Sequence, residues 1–477
     1  MKAQNKNFLY NIIYQLLTFF VPLITVPYVS RVLGAENVGI YSYTYSIVYI
    51  FMLFGMLGIN NYGSRTIARV RDDKDELSKT FFSIYFFQLI INILALVIYF
   101  AYVLLIDPSY KTIYFIQAIF LISICFDINW FFFGLEKFKI TITRNLIIKI
   151  LSVILIFILV KDKSDLNIYT FIMSFSTLLS QVFLFIILPK YIIFKKVKFK
   201  EIFSHFKEVL YLFIPVLAFS IYKVMDKTMI GLFSSMTQVA YYEYAEKLMN
   251  IPTAIISALG IVMLPHMSYI MGNDKENYKK TIFDSMKLVS KLSTIMCLGL
   301  ILISSDAVKV LFGNEFEESS SILILLSTTI LASSWANVIR TQFLIPLKKD
   351  KVYIRSTFIA AIVNLILNVI FIRKYAAIGA CIGTVISEFI VMFYQIFSTK
   401  KDLEYKKYMI SLIGEGVQSL IIIMIAFVIS AFIHNIYVRL IVKVFISVFL
   451  FILLNKEYII NDFLGKNKRV NQECKYE

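Results

Sequence analysis

Apolar runs of about 20 residues, separated by short polar segments, repeat along the chain from Phe8 to Leu454. A helix rising 1.5 Å per residue needs about 20 such residues to cross roughly 30 Å of hydrocarbon. The pattern predicts fourteen spans, at about 8–30, 38–62, 80–106, 111–134, 145–160, 166–189, 208–232, 239–266, 283–304, 319–345, 352–372, 376–398, 409–433 and 437–454. The fifth is short and is expected to extend into its flanks. The chain therefore reads as an all-α polytopic membrane protein. A transmembrane β-barrel would show alternating segments of about ten residues, and none is present. An even number of spans puts both termini on one side.

Composition sharpens this. Hydrophobic residues make up 59% of the 477 and charged residues 17%, against about 45–50% and about 25% in soluble domains. A soluble enzyme, a disordered chain and a disulfide scaffold are excluded. The net charge of +17 would raise nucleic acid for a soluble protein. Here it follows topology, because cytoplasmic loops collect Lys and Arg. The N-terminus, the loops 63–79, 135–144, 190–207, 267–282, 346–355 and 399–407, and the tail after 454 carry 32 Lys and Arg, and the opposite loops carry 8. Both termini are thus placed in the cytoplasm, and no nucleic-acid partner is expected. Cys125, Cys297, Cys381 and Cys474 and the three histidines are scattered, so neither a metal site nor a catalytic set is expected. The first apolar run lacks a small-residue cleavage site and reads as a retained span. No loop is long enough to fold as an external catalytic domain.

An offset of 201 aligns Val38–Tyr43 with Val239–Tyr244, and both stretches open the second span of a six-span set. This predicts two parallel six-helix lobes, 1–206 and 207–402, followed by a unit of two extra helices and a tail, 403–477. Transporters are commonly built from such repeats, with substrate held between them near mid-membrane.

Several stretches then point to a family. Pro27-Tyr28-Val29-Ser30-Arg31-Val32-Leu33-Gly34, Val38-Gly39-Ile40-Tyr41-Ser42 and Gly58-Ile59-Asn60-Asn61-Tyr62-Gly63-Ser64-Arg65 lie in the first two spans. Asp127-Ile128-Asn129-Trp130-Phe131-Phe132-Phe133-Gly134-Leu135-Glu136 lies at the fourth. Asp226-Lys227-Thr228-Met229-Ile230-Gly231, Tyr242-Glu243-Tyr244-Ala245-Glu246-Lys247, Leu264-Pro265-His266-Met267-Ser268, and Asn364 with Asn368 follow in the second half. Together, over about residues 8–400, they resemble the bacterial polysaccharide flippases, Wzx-type transporters of the superfamily that also holds the multidrug-and-toxin extruders (MATE). Phe133 stands where that family has Gln, and His266 where Arg is common. The resemblance implies a MATE-like fold in the bacterial cytoplasmic membrane. It also implies flipping of undecaprenyl-pyrophosphate-linked oligosaccharide from the inner to the outer leaflet by alternating access. The product would serve capsule or O-antigen synthesis, with polysaccharide polymerase machinery as a partner.

Ionisable side chains at membrane depth cost roughly 3 kcal/mol or more each and need a reason. Lys149, Lys287, Lys291 and Lys443 lie near span ends, where snorkelling accounts for them. Lys223, Lys227, Lys247 and Arg340 do not fit that account. Lys223, Asp226 and Lys227 share one helical face, as do Glu243, Glu246 and Lys247. Ser333, Asn337, Arg340 and Thr341 form another polar face, and Thr384, Glu388 and Gln395 a fourth. Two readings stand: the charges neutralise one another and tie helices together, or they line a wet cavity for a pyrophosphate and its sugars. Arg31, Arg65 and Trp130 are further cavity candidates. Glu243, Glu246, Asp226, Asp127 and Glu388 are the candidates for coupling to a proton or sodium gradient; no other cofactor is expected. Pro22, Pro27 and Pro215 mark candidate hinges.

The rivals are a multidrug antiporter, whose cavity should be acidic, and a lipid II flippase of the same superfamily. A polymerase or ligase should carry a large external loop and does not. No GxxxxGK[ST] motif is present, which argues against direct ATP use.

Overall fold

The computed structural model describes the backbone of residues 2–105, 110–273 and 275–456, and the side chains of 24–105, 110–213, 217, 220, 224–271 and 277–456. Among these residues there are helices and turns and no strand. Among the described residues, eleven helical segments are long and apolar enough to cross a membrane. The chain is thus a multi-pass membrane protein.

The helices are α1 (Lys2–Met56), α2 (Ile59–Val70), α3 (Lys74–Leu105), α4 (Lys111–Cys125), α5 (Asn129–Gly134), α6 (Phe138–Leu159), α7 (Leu166–Ile187), α8 (Phe199–Phe203), α9 (Phe206–Phe233), α10 (Met236–Asn273), α11 (Lys275–Phe312), α12 (Ser319–Ser327), α13 (Thr329–Val338), α14 (Asp350–Thr399), α15 (Tyr405–Ala431) and α16 (Ile436–Leu454). A π-helical turn, Ile339–Leu344, continues α13.

Two of the longest rods each take up two sequence intervals. α1 breaks at Gly34, whose φ of 76° suits a residue without Cβ. α14 breaks at Ala376, at φ 49°. Its two legs run antiparallel, with Gln395 Nε2 donating to Ser356 Oγ across them at 3.2 Å. The hinges expected at prolines are not where the described backbone bends: Pro27 lies inside continuous helix, and α9 is unbroken through Pro215. The fifth interval grows at its N-terminal end into α6. That lengthening draws Arg144, read as a loop cation, into a membrane helix where it is 3% exposed.

The chain packs as two compact units, residues 1–243 with 364–380, and 244–363 with 381–477. The core of the first gathers Phe81, Trp130, Phe131 and Phe132 from α3 and α5. Trp130 is fully buried, stacks on Phe81 with ring centres 5.4 Å apart, and donates its Nε1–H to Gln88 Oε1 at 2.8 Å. Gln88 Nε2 in turn covers the carbonyls of Ile124 and Asp127, both at 2.9 Å, where the helix is interrupted between α4 and α5. Asn92 Nδ2 also donates to the Ile124 carbonyl, at 3.3 Å; in oil an uncovered carbonyl costs several kcal/mol, so these two α3 amides help make the interruption tolerable.

The second unit has its own buried indole. Trp335 packs among Ile256, Met286, Ile330 and Phe343 and donates to Ser290 Oγ at 2.9 Å. α11 holds α15 and α16 through two ionic ties. Lys291 Nζ meets Asn455 Oδ1 at 2.8 Å and Glu415 at 3.4 Å. Asp306 accepts from Arg439 and Lys443, the latter at 2.7 Å. Snorkelling therefore does not describe Lys291 or Lys443: each is 9% exposed and paired inside the protein.

Candidate functional site

In the first unit the charges of α9 meet polar groups from α10 and α14. Asp226 is 3% exposed. Its carboxylate accepts from the Tyr242 hydroxyl at 2.5 Å and from Asn368 Nδ2 at 2.6 Å. Asn368 also donates to Asn364 Oδ1, one helical turn away on the same face, at 3.1 Å. Next along α9, Lys227 Nζ reaches Glu243 Oε2 at 2.6 Å, with both side chains mostly buried. Helical spacing puts Asp226 and Lys227 on one helix and Glu243 on another. The structure brings them into two adjacent ties, both between α9 and the start of α10.

The second leg of α1 runs against the same elements. Ser46 Oγ and Thr228 Oγ1 share a hydrogen bond of 2.8 Å. At Gly39 an added Cβ would fall inside the van der Waals envelope of the Met236 carbonyl oxygen, so only glycine permits this approach. Tyr41, Tyr45 and Tyr49 form a ladder along this leg, with ring centres 6.0 and 6.3 Å apart, and Tyr41 meets Tyr169 edge-on at 4.9 Å.

In the second unit Lys247 Nζ lies 4.6 Å from the centre of the Tyr244 ring. Arg340 sits in the π-helical turn with its guanidinium 5.2 Å from the Tyr353 ring centre. Cations over rings keep part of their electrostatic compensation in a low-dielectric setting. Single π turns inside α-helices are frequent at functional sites. Asn337, one turn before, is 9% exposed, and its Oδ1 has no hydrogen-bond partner. Glu246 on α10 and Glu388 on α14 are half-buried.

Other candidates lie elsewhere. Arg31 and Arg65 are exposed. Trp130 is sealed in the core and has no free face for a sugar in this conformation. Asp127 sits at the α4–α5 interruption, accepting from Asn129 N at 3.0 Å and Nδ2 at 2.7 Å. The Lys223 side chain lies outside the described residues. Sequence reasoning missed Arg144, which donates to Asn129 Oδ1 at 3.0 Å and to Asn145 Oδ1 at 2.6 Å. The signal was there: Asn145 and Gln181 are polar residues in otherwise apolar runs. Among the described residues, no group of three or more His, Cys, Asp or Glu side chains is placed to hold a metal ion.

A family model described as polysaccharide biosynthesis protein matches residues 5–271, more than half of the chain. The chain belongs to that family. Among its curated relatives is the putative O-antigen transporter of Escherichia coli (strain K12). It is 24% identical over 391 residues, covering 81% of this chain and 94% of the relative. The probable low-salt glycan biosynthesis flippase Agl15 of Haloferax volcanii is 28% identical over 194 residues, covering 40% and 41%. Among solved structures, the lipid II flippase MurJ in an inward closed conformation superposes with a TM-score of 0.73 at 19% identity, over 94% of this chain and all of that one. An inward-facing multidrug resistance MATE family transporter gives 0.61 at 14% identity, over 81% and 94%. This family member therefore has the MurJ/MATE-type fold that its sequence motifs imply.

Proposed function

We propose that the protein is a transporter, not an enzyme, that flips lipid-linked oligosaccharide across the bacterial cytoplasmic membrane. Its substrate is an undecaprenyl-pyrophosphate-linked repeat unit, moved from the cytoplasmic to the outer leaflet by alternating access for capsule- or O-antigen-type polysaccharide. In this reading the chain crosses the membrane fourteen times with both termini cytoplasmic. Residues 1–206 and 207–402 are the two moving lobes, and 403–477 is an appendage to them.

The observation that carries the reading is the Lys227–Glu243 pair inside membrane helices. A buried ion pair contributes little to stability, because desolvation offsets its attraction. Its value here is exchange. A pyrophosphate arriving at Lys227 replaces one carboxylate with another anion, so the lysine is never left bare in oil. In the second unit Lys247 and Arg340 lie over aromatic rings, and Arg340 offers a bidentate fork to phosphate. Neutralising Glu243 frees Lys227 and raises affinity for the anion. Asp226, with the Tyr242 hydroxyl and the Asn364 and Asn368 amides around it, is the second coupling group, taking a proton or a sodium ion. The relatives named for O-antigen transport and glycan flipping support this substrate class.

Deletion of the gene followed by isolation of lipid-linked sugars tests the reading. Repeat units should accumulate with their sugars facing the cytoplasm. Unchanged surface polysaccharide together with altered dye efflux would replace the reading with drug export. Alternating access has its own test. Ser46→Cys with Thr228→Cys should form a disulfide that arrests export and releases it on reduction; export that continues in the oxidised pair would overturn the rocking motion.

A further inference from the structure

The second unit carries a cleft of about 250 Å³ that the transport reading does not use. It lies between the first turns of α11 and the α14–α15 connection. Two of the basic loops, 346–355 and 399–407, are pinned together beside it by a Lys349–Asp402 ion pair of 2.8 Å. The floor is apolar: Leu403 and Tyr408 are 5% and 4% exposed, and the rings of Phe283 and Tyr408 lie 5.7 Å apart.

The rim is charged, and its charges do not cancel. Lys279 and Lys280 line it from α11, and Asp402, Glu404 and Lys407 from the α14–α15 side. Lys349 already engages Asp402, and Lys407 engages Glu404. The Lys407 hydrogen bond, helped by Lys279, lowers Glu404 below its ordinary carboxylate range. Among the described residues this leaves Lys279 and Lys280 as surplus positive charge at the mouth. Both are exposed, so an arriving anion meets them without displacing an internal partner.

The surroundings decide what kind of anion. Small-molecule pockets run to roughly 300–1,000 Å³; this one is smaller, too small for an oligosaccharide and suited to a single phosphate headgroup. One turn further along α15 the surface becomes apolar and exposed, with Met409 at 46%, Ile410 at 63% and Ile413 at 65%. A ligand seated among the lysines therefore has hydrocarbon beside it. Basic groups at a membrane edge attract anionic lipid, and an apolar ridge gives acyl chains a track.

We propose that this cleft is a specific seat for the phosphate headgroup of an anionic phospholipid, whose chains lie along the exposed ridge of α15. The site belongs to the protein's bound lipid, not to its cargo, so it stands or falls separately from the flippase reading. A free phosphate ester shares the headgroup chemistry, and the test separates the two.

Full-length protein in neutral detergent is titrated with phosphatidylglycerol, phosphatidylcholine and glycerol phosphate. Bound lipid is counted by native mass spectrometry, and thermal stability is followed in parallel. Phosphatidylglycerol should bind and raise the melting temperature, and phosphatidylcholine should do neither. The variant Lys279→Gln/Lys280→Gln/Lys407→Gln should bind phosphatidylglycerol about tenfold more weakly. A control with the same charge loss on another basic loop, Lys196→Gln/Lys198→Gln/Lys200→Gln, should bind as wild type does. These side chains are exposed, so the melting curve without lipid should not change and serves as the folding check. Equal weakening in both variants would reduce the effect to net charge and overturn the site. Glycerol phosphate binding as tightly as the lipid would overturn the lipid assignment in favour of a soluble phosphate.

Discussion

Removing one carboxylate should loosen the whole C-terminal hairpin. Asp306 on α11 is 4% exposed by side chain and accepts from Arg439 Nε and Nη2, at 3.1 and 2.6 Å, and from Lys443 Nζ at 2.7 Å. Besides packing on α11 and α15, α16 has, among the described residues, one other polar tie, from Lys291 to Asn455 just past its end. Only 6% of its apolar window is buried, and its two buried residues are Lys443 and Ser447. Leucine-rich packing gives weak helix association in lipid, because the tails are as apolar as the partner helix. Asp306→Asn leaves Lys443, whose side chain is 11% exposed, with only neutral acceptors, the new amide oxygen and the Leu302 carbonyl at 3.1 Å. Breaking a buried pair from one side costs roughly 3–5 kcal/mol. Arg439, a third exposed, turns to water, so the lower end, about 3 kcal/mol, is expected. Asp306→Asn/Lys443→Met removes the stranded charge and should recover most of the loss. Both are measured by unfolding titrations in mixed dodecyl maltoside and dodecyl sulfate micelles, arranged as a double-mutant cycle. A single variant within about 0.5 kcal/mol of wild type, or a cycle with no coupling, would refute the view that this tie anchors α16.

Three further outcomes follow from the first unit. Gly39→Val drives a side chain into the Met236 carbonyl; disulfide formation between Ser46→Cys and Thr228→Cys should fall several-fold in that background, as read on non-reducing gels. Trp130→Phe keeps the ring stack but strands Gln88 Oε1; stability should drop by about 1–3 kcal/mol while sugar export per folded molecule is unchanged, and the reverse result would return Trp130 to the substrate path. His205, held between the Tyr62 hydroxyl and Ser83 Oγ, both at 2.6 Å, is pushed below the ordinary imidazole range by burial, with Glu208 opposing. The unfolded chain therefore binds the proton more readily, so stability present at neutral pH should decline as pH falls through about 6.5. It should level off below the folded value, and His205→Gln should flatten the melting-temperature profile over that range.

The helical class and the fold were legible because bilayer thickness dictates run length, and because the quoted motifs cluster along most of the chain. The Lys227–Glu243 and Asp226 ties were legible in part: helical spacing puts groups on one face of a rod but not opposite their partners on the next. Asn368 as the donor to Asp226 was seen only as a motif residue. What escaped depends on where a helix starts or on which distant groups meet. Arg144 looked like a loop cation because the polar Thr141–Asn145 stretch masks the start of α6. Lys291 and Lys443 looked like snorkelling chains because Asp306, Glu415 and Asn455 lie far from them in sequence, and a single chain gives no sign of which distant acid faces which base. Proline suggests a break in α1 earlier than Gly34, where it lies, because a proline at helix depth can be absorbed by neighbours while a left-handed φ cannot be continued as helix.

The interruption at Phe126–Ile128 also bears on how the chain is made. α5 has six residues and cannot cross a bilayer by itself. Its passage into the membrane depends on a neighbour that masks the carbonyls of Ile124 and Asp127. That neighbour, Gln88, precedes Ile124 by 36 residues, so it leaves the ribosome first and is already in place when the broken segment arrives. Biosynthesis in the opposite order, as in a circular permutant that begins after α3, would present the Ile124 and Asp127 carbonyls to lipid without their α3 amides.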